Sequence, residues 1–231
     1  MEIELNIPLE APELASNEPE PSLDPIACSC VKTARAEGVA IPYGTDAFDL
    51  EANSPPRIGG VILLRYVGGR GEEVAHIAVI KSITDHYWVA EGNFNECERG
   101  ERRIELNDPH IFGYWYPPEW QQKLYDLAWE YGQDPELARR IVQCESGGNK
   151  NALNKNIVNG EVVSMDHSLF QINDVAHSER TAELNLNIMD WEDNLEFGMI
   201  LMRDSGTKQW YSSKSCWDNL TSLRNVNDYV S

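Results

Sequence analysis

The stretch Ile111-Phe-Gly-Tyr-Trp-Tyr-Pro-Pro118 divides the chain into two parts that differ in hydrophobic period. Before it, short runs rich in β-branched and aromatic residues are separated by turn signals, which predicts strands. After it, apolar residues recur with the 3.6-residue period of an amphipathic helix. We therefore expect an α+β fold in two domains, at residues 26–117 and 118–231.

The first part is predicted to form one short helix followed by an antiparallel sheet. The helix begins at Cys30 and is ended by Gly38. Turn residues such as Gly68-Gly69 and Asp108-Pro109 separate the strand-like runs. Five strands are expected, at Gly60–Tyr66, Val74–Lys81, His86–Glu91, Arg102–Leu106 and Ile111–Trp115.

The second part is predicted to be mainly α-helical. One helix covers residues 124–131 and is ended by Gly132. Asp134-Pro135 is typical of a helix start, with an N-cap followed by proline at the first helical position. Gly147-Gly148 ends that helix, and a further helix begins near Asp190.

The charge distribution limits the range of partners. The formal net charge is −19, and no basic patch stands out, so neither nucleic acid nor an anionic membrane surface is expected as a partner. Residues 1–25 are rich in Pro and Glu and predict a flexible acidic tail. No apolar run reaches the roughly 18–20 residues that span a bilayer. The first eight residues lack the pattern of a Sec signal peptide, so we expect another route of delivery.

Four residues of the first part suit acyl transfer by a thiol. Cysteine attacks as the thiolate, and Cys30 lies at a predicted helix start, where the helix dipole favours an anion. His76, inside an apolar strand, is the candidate base and needs a buried polar partner. Glu91 and Asn93 follow on the next strand and share one face, so either can orient the imidazole.

A single carboxyl group in the second part suits cleavage of a glycosidic bond. Glu145 shares the apolar face of its predicted helix with Leu137 and Ile141. Burial disfavours the carboxylate and raises its pKa, as a proton donor to a leaving sugar oxygen requires.

The first part resembles the CHAP and NlpC-like cysteine amidases and peptidases. The resemblance covers about residues 26–117 and depends on the segments Cys28-Ser-Cys-Val-Lys-Thr-Ala-Arg35, Arg57-Ile-Gly-Gly-Val-Ile-Leu-Leu-Arg65, His76-Ile-Ala-Val79 and Glu91-Gly-Asn93. It implies a papain-like fold in which Cys30 is the nucleophile and His76 the base. Glu91 or Asn93 is then the orienting group, and Cys28 is the rival nucleophile.

The second part resembles the lysozyme-like superfamily, in particular the soluble lytic transglycosylases, over about residues 120–217. The segments that carry the resemblance are Glu145-Ser-Gly-Gly-Asn149, Asn151-Ala-Leu-Asn154 and Leu169-Phe-Gln-Ile-Asn173. It implies that Glu145 is the catalytic acid and that Ser146, Gln171 and Asn173 bind substrate.

Two points about this second site stay open from the sequence. The family pattern has glycine before Leu-Phe-Gln-Ile, and this chain has Ser168. If the glycine supplies a positive φ or a close approach of the backbone to the sugar, Ser168 is expected to weaken binding. Asp166 is the candidate second carboxylate that a hydrolase needs, whereas a transglycosylase needs none.

Together the two sites predict a bifunctional peptidoglycan hydrolase that resembles phage lysins. It is expected to cut stem or cross-bridge amides and glycan strands, with peptidoglycan as partner, no cofactor and no metal. Two alternatives remain: one domain is catalytic and the other binds the wall, or the protein is a non-enzymatic wall-binding virion component. Cys144 and Cys216 form either a disulfide or two buried thiols.

Overall fold

A computed structural model describes residues 29–68, 70–94 and 98–218, without the side chains of residues 93, 94 and 98. The predicted acidic tail, Cys28 and Cys97 lie outside these residues. The described chain is a mixed α+β fold with an antiparallel sheet, as predicted. Within these ranges, no helix has the length and apolar character needed to cross a bilayer.

The described first half contains one α-helix and a five-stranded antiparallel sheet, both of which were predicted, and a short 3-10 segment (Ala47–Asp49). The strand order in the sheet is β4-β3-β2-β1-β5. The elements are α1 (Cys30–Ala36), β1 (Val61–Val67), β2 (Glu73–Ile83), β3 (His86–Phe94), β4 (Glu98–Glu105) and β5 (Ile111–Trp115).

Strand β1 is buried on both faces, which explains its unbroken apolar sequence. Val61 and Leu63 pack in the core that contains α1, while Ile62 and Leu64 pack in a second core on the opposite face. Successive side chains of a strand point to opposite faces, so each face receives every second residue. Helix α1 is thereby held against the sheet by its buried side.

The second half consists of helices and a small three-stranded sheet. The elements are α2 (Glu119–Glu130), α3 (Pro135–Ser146), β6 (Leu153–Val158), β7 (Glu161–His167), β8 (Ile172–Asn173), α4 (Ser178–Leu184), α5 (Trp191–Ser205), a 3-10 segment (Lys208–Ser213) and α6 (Lys214–Trp217). The antiparallel sheet β6-β7-β8 was not predicted.

The predicted ends of helix α3 are confirmed by its capping contacts. The Asp134 carboxylate accepts hydrogen bonds from the backbone N–H groups of Glu136 and Leu137, and Pro135 follows it. At the other end Gly147 has a φ of 64°, the left-handed conformation that commonly ends a helix. Both signals are local, which is why the sequence alone identifies them.

The loop after α1 joins the two halves. The Ala40 N–H donates to the side-chain oxygen of Gln122, at 3.1 Å, and the Ala40 carbonyl accepts from the side-chain amide of Gln121, at 2.7 Å. The amide of Gln122 also donates to the Gly38 carbonyl. Ala40 is fully buried and belongs to the apolar core of the second half. The two halves therefore share buried contacts at this point.

Candidate active sites

Cys30 occupies the first position of helix α1. Ser29 caps the helix, and its hydroxyl accepts a hydrogen bond from the Lys32 N–H. Cys30 is 9 % exposed and is the free cysteine of the described residues. Cys30 therefore lies at the positive end of the helix dipole.

The imidazole of His76 lies between the thiol and a buried carboxylate. Nε2 of His76 is 2.9 Å from Oε2 of Glu91, and the side chain of Glu91 is only 1 % exposed. Burial by itself lowers the pKa of His76, but its contacts with the Cys30 thiol and the Glu91 carboxylate outweigh burial and raise that pKa to about 9. The imidazole is therefore favoured in its protonated form.

Glu91 is held from its other side by an arginine of strand β4. Nε of Arg102 donates to Oε1 of Glu91, and Nη2 of Arg102 donates to the Tyr66 hydroxyl at 3.1 Å. Burial by itself raises the pKa of Glu91, but the hydrogen bonds and charges of His76 and Arg102 outweigh it and lower that pKa. Glu91 is therefore favoured as the carboxylate.

Of the two orienting residues that the sequence offered, Glu91 contacts the imidazole. Asn93 belongs to β3, and its side chain lies outside the described part of the structure. Arg102 and Tyr66 were not singled out by sequence reasoning. The register of β4 against β3, which places Arg102 opposite Val89, is a long-range pairing that the sequence does not reveal.

The arrangement Cys30–His76–Glu91 has the order of groups that nucleophilic catalysis by a thiol requires. A thiolate attacks, an imidazolium supplies the proton to the leaving group, and a carboxylate orients the ring. Glu91 is buried, His76 is partly buried, and the two are hydrogen-bonded, so their side chains are fixed before substrate arrives.

The second site is a polar groove next to the end of helix α3. Glu145, in the last turn of that helix, is half-buried at the edge of a cavity of about 480 Å³. The lining is mostly amide, carboxylate, imidazole and hydroxyl groups, and it includes Asp166, Gln171, Asn173, His177 and Gln209.

The pKa of Glu145 is raised, mainly by burial. The nearby charge of Asp166 raises it further, while a hydrogen bond from the Ser213 hydroxyl to Oε1 opposes the shift. Protonation is thus easier for Glu145 than for an exposed glutamate, which suits a general acid. Ser213 was not identified from the sequence, since it is 68 positions away along the chain.

Asp166 faces the same groove from strand β7 and is bound by three side-chain amides. Its Oδ1 accepts from Asn173 at 2.7 Å and from Asn156 at 3.1 Å, and its Oδ2 accepts from Asn154 at 3.4 Å. The groove therefore contains both Glu145, whose pKa is raised, and a second carboxyl group that is held in place by three amide donors.

The loop from His167 to Gln171 reaches the groove in a strained conformation. Ser168 has a φ of 58° and Gln171 a φ of 50°, values that L-residues other than Asn and Asp rarely adopt. The Ser168 hydroxyl donates to the Lys150 carbonyl at 2.8 Å. Ser168 therefore adopts a conformation that a glycine would adopt without strain.

A buried asparagine of helix α5 holds this loop in place. The side-chain amide of Asn194 donates to the carbonyls of His167 and Ile188, and its oxygen accepts from the Phe170 N–H at 2.8 Å. Asn194 is fully buried, so all three bonds form away from water. Side chains that follow Phe170 are therefore presented to the groove by a fixed backbone.

The predicted substrate-binding residues divide into two groups. Gln171 and Asn173 line the groove, although the Asn173 amide is engaged by Asp166. The Ser146 hydroxyl donates to the carbonyl of Val142 within helix α3. Substrate binding by Ser146 stays a prediction.

Cys144 and Cys216 form a disulfide, which resolves the alternative that the sequence left open. Cys144 precedes Glu145 in α3, and Cys216 lies in α6, three residues after Ser213. The bridge therefore attaches the segment that contacts Glu145 to the helix that carries it.

Comparison of the chain with protein-family models, curated proteins and solved structures gives no significant match. No group of three or more His, Cys, Asp or Glu side chains in the described ranges is arranged to hold a metal ion.

Proposed function

We propose that the protein is a bifunctional peptidoglycan hydrolase that cuts both amide and glycosidic bonds. The observation that carries this proposal is the coexistence, in one chain, of a thiol–imidazole–carboxylate series and a polar groove with an easily protonated carboxyl group. Peptidoglycan is the polymer that contains both kinds of bond in one network. Peptidoglycan is therefore a common substrate for the two sites.

The first half acts as a papain-like cysteine amidase or endopeptidase. The Cys30 thiolate attacks the carbonyl carbon of a stem or cross-bridge amide, and the imidazolium of His76 gives its proton to the leaving nitrogen as the C–N bond breaks. Water then attacks the thioester while neutral His76 accepts a proton, and the thiolate leaves. Glu91 keeps the imidazole oriented during both steps.

The second half acts as a lysozyme-like glycosidase. Glu145 donates its proton to the glycosidic oxygen, and the bond between that oxygen and the anomeric carbon breaks. Water then forms a bond to the anomeric carbon and gives a proton back to Glu145. Asp166, held by three amides, faces the positive charge that develops on the sugar ring. This second carboxylate favours hydrolysis by water over transglycosylation, which needs only the acid. The protein would reach the wall after release from the cell that makes it, as phage lysins do.

The test is mass spectrometry of fragments released from purified sacculi by four proteins: wild type, Cys30→Ala, Glu145→Gln and the control Glu183→Gln. Glu183 is an exposed glutamate of α4. Cys30→Ala is expected to abolish new amine ends and to keep new sugar ends. Glu145→Gln is expected to do the reverse, and Glu183→Gln to change neither.

The fragments also distinguish the competing functions. Hydrolysis leaves reducing sugar ends, whereas transglycosylation leaves 1,6-anhydro ends. Release of only one class of ends by wild type would reduce the proposal to a single active site with a binding half. Intact sacculi after incubation with wild type would leave only wall binding.

A further inference from the structure

Arg102 is the charged group of the first site to which the proposed chemistry gives no role. Its guanidinium binds the oxygen of Glu91 that His76 does not bind, and it also donates to the Tyr66 hydroxyl. Its own pKa is raised, because its bonds to Glu91 and Tyr66 outweigh the effect of burial. The guanidinium is thus a permanent positive charge next to a buried carboxylate.

This inference rests on the proposed thiol chemistry, in which His76 alternates between two charge states. While the imidazole is protonated, Glu91 has two cationic partners. When the imidazole has given up its proton, Arg102 is the cation that still contacts Glu91. A buried carboxylate without a cation is strongly unfavourable, so without Arg102 the proton is retained between Glu91 and His76.

We infer that Arg102 is a positioning residue that keeps Glu91 ionised and fixed while His76 gains and loses its proton. It acts through Glu91 and takes part in no bond to substrate. Its contribution is to make the neutral imidazole accessible, which both proton transfers of the acyl-transfer cycle require.

Other titratable groups surround this series and belong to several elements. The thiol of Cys30 faces His76 from α1. The Tyr66 ring, from β1, lies 4.7 Å from the ring of His110, which contacts Asp108. The charge of Arg102 also acts on Asp108. Cys30, Tyr66, Asp108 and His110 are therefore the other titratable groups whose charge can affect the titration of His76.

The test separates the charge of Arg102 from its hydrogen bonds. Glutamine retains amide donors for Glu91 but carries no charge, while lysine retains the charge without the planar fork. The matched control is Arg103→Gln at the next position of β4, because Arg103 is half-exposed and bonds Glu105.

The first measurement is an NMR titration of His76 in full-length Cys30→Ser protein, which removes the coupling to the thiolate. The signal is assigned by its loss in His76→Gln, among the five histidines of the chain. Arg102→Gln is expected to move the His76 titration upward by roughly one pH unit or more. Arg102→Lys is expected to move it by less than half as much, and Arg103→Gln not at all.

The second measurement uses the Cys30 protein and peptide-crosslinked muropeptides. Arg102→Gln is expected to lower kcat for amide cleavage at least tenfold with KM changed less than threefold, and Arg102→Lys to recover part of kcat.

An unchanged His76 titration in folded Arg102→Gln overturns the inference, as does a shift in the lysine variant equal to that in the glutamine variant. If the glutamine variant does not fold, the lysine variant decides alone: a full-unit shift overturns the inference, and a titration near that of the parent supports it.

The two measurements also separate this inference from the proposed function. The titration needs no substrate. A wild-type protein that releases no amine ends refutes the amidase proposal. It also refutes the role of Arg102 in catalysis, even when the titration shifts as expected. Amine release by wild type with an unmoved titration refutes the inference alone.

Discussion

Removal of the Cys144–Cys216 bridge is expected to destabilise the second half and to weaken glycan cleavage. The bridge spans 72 positions of the chain. With a closed loop of that length, the chain-entropy relation gives a contribution of about 4 kcal/mol at 25 °C. Cys216 is an exposed residue, so Cys216→Ala removes the cross-link with little loss of packing.

The assay is urea unfolding followed by tryptophan fluorescence, to which Trp210 and Trp217, both buried in the second half, contribute. Cys216→Ala is expected to lower the free energy of unfolding of this half by 3 kcal/mol or more, as about 4 kcal/mol implies. Reductant should lower the stability of wild type by the same amount and have no further effect on the variant. Cys30→Ala, which retains the bridge, is the control.

The same variant tests the connection between the bridge and the active site. Ser213 lies three residues before Cys216 and donates to Glu145. Without the bridge, this segment is less firmly held, and release of sugar ends is expected to fall while release of amine ends persists. A loss of stability below about 1 kcal/mol, or a reductant effect of equal size in Cys216→Ala, would refute the reasoning.

Three further predictions concern pH and packing. Amide cleavage needs the imidazolium, so it is expected to decline as pH rises through about 9, the pKa of His76. Glycan cleavage needs the protonated form of Glu145, so it is also expected to decline as pH rises, but with a midpoint at a lower pH than that of amide cleavage. Paired pH profiles on sacculi measure both. Ser213→Ala removes a hydrogen bond that lowers the pKa of Glu145, so the alkaline limb of the glycan-cleavage profile should move upward; a downward shift would contradict this assignment. Gly198→Ala places a methyl group against the ring of Phe170 with too little room for it, and is expected to cost about 1–3 kcal/mol of stability, measured by urea unfolding; unchanged stability would contradict the packing argument.

Local signals in the sequence were sufficient for most elements of the fold. The N-cap Asp134 and the left-handed Gly147 define α3, and the Asp190 cap defines the start of α5. Strand β4 begins at Glu98 and not at the predicted Arg102. The prediction missed the first four residues because they are charged residues and a glycine, which are not typical of strands. Pairing with β3 orders them despite their weak strand propensity.

The small sheet of the second half was missed, although one signal for it was present. Strands β6 and β7 are mostly exposed, so they lack the alternation of apolar and polar residues that predicts a half-buried strand. The turn between them contains Asn159-Gly160, both with positive φ, and Asn-Gly is a strong indicator of a hairpin. That dipeptide would have identified the strand that carries Asp166.

The sites show the same division between local and long-range information. The pairing of His76 with Glu91 follows from strand alternation on neighbouring strands and was open to prediction. Arg102 and Ser213 reach their carboxylates through tertiary contacts, for which no spacing rule exists. The sequence therefore named Cys30, His76, Glu91 and Glu145 as candidates, and it did not name Arg102 and Ser213, which contact two of them.

The junction between the halves gives the two sites a common structural support. Ala40 follows α1, which carries Cys30, and yet Ala40 packs in the core of the second half. Its backbone is bonded to Gln121 and Gln122 of α2, and α2 packs against α3, which carries Glu145. Continuous packing thus connects the helix of the thiol to the helix of the acid. Because buried backbone groups of one half are satisfied by side chains of the other, cutting the chain at Pro117 would leave unpaired polar groups in the first half and a gap in the core of the second.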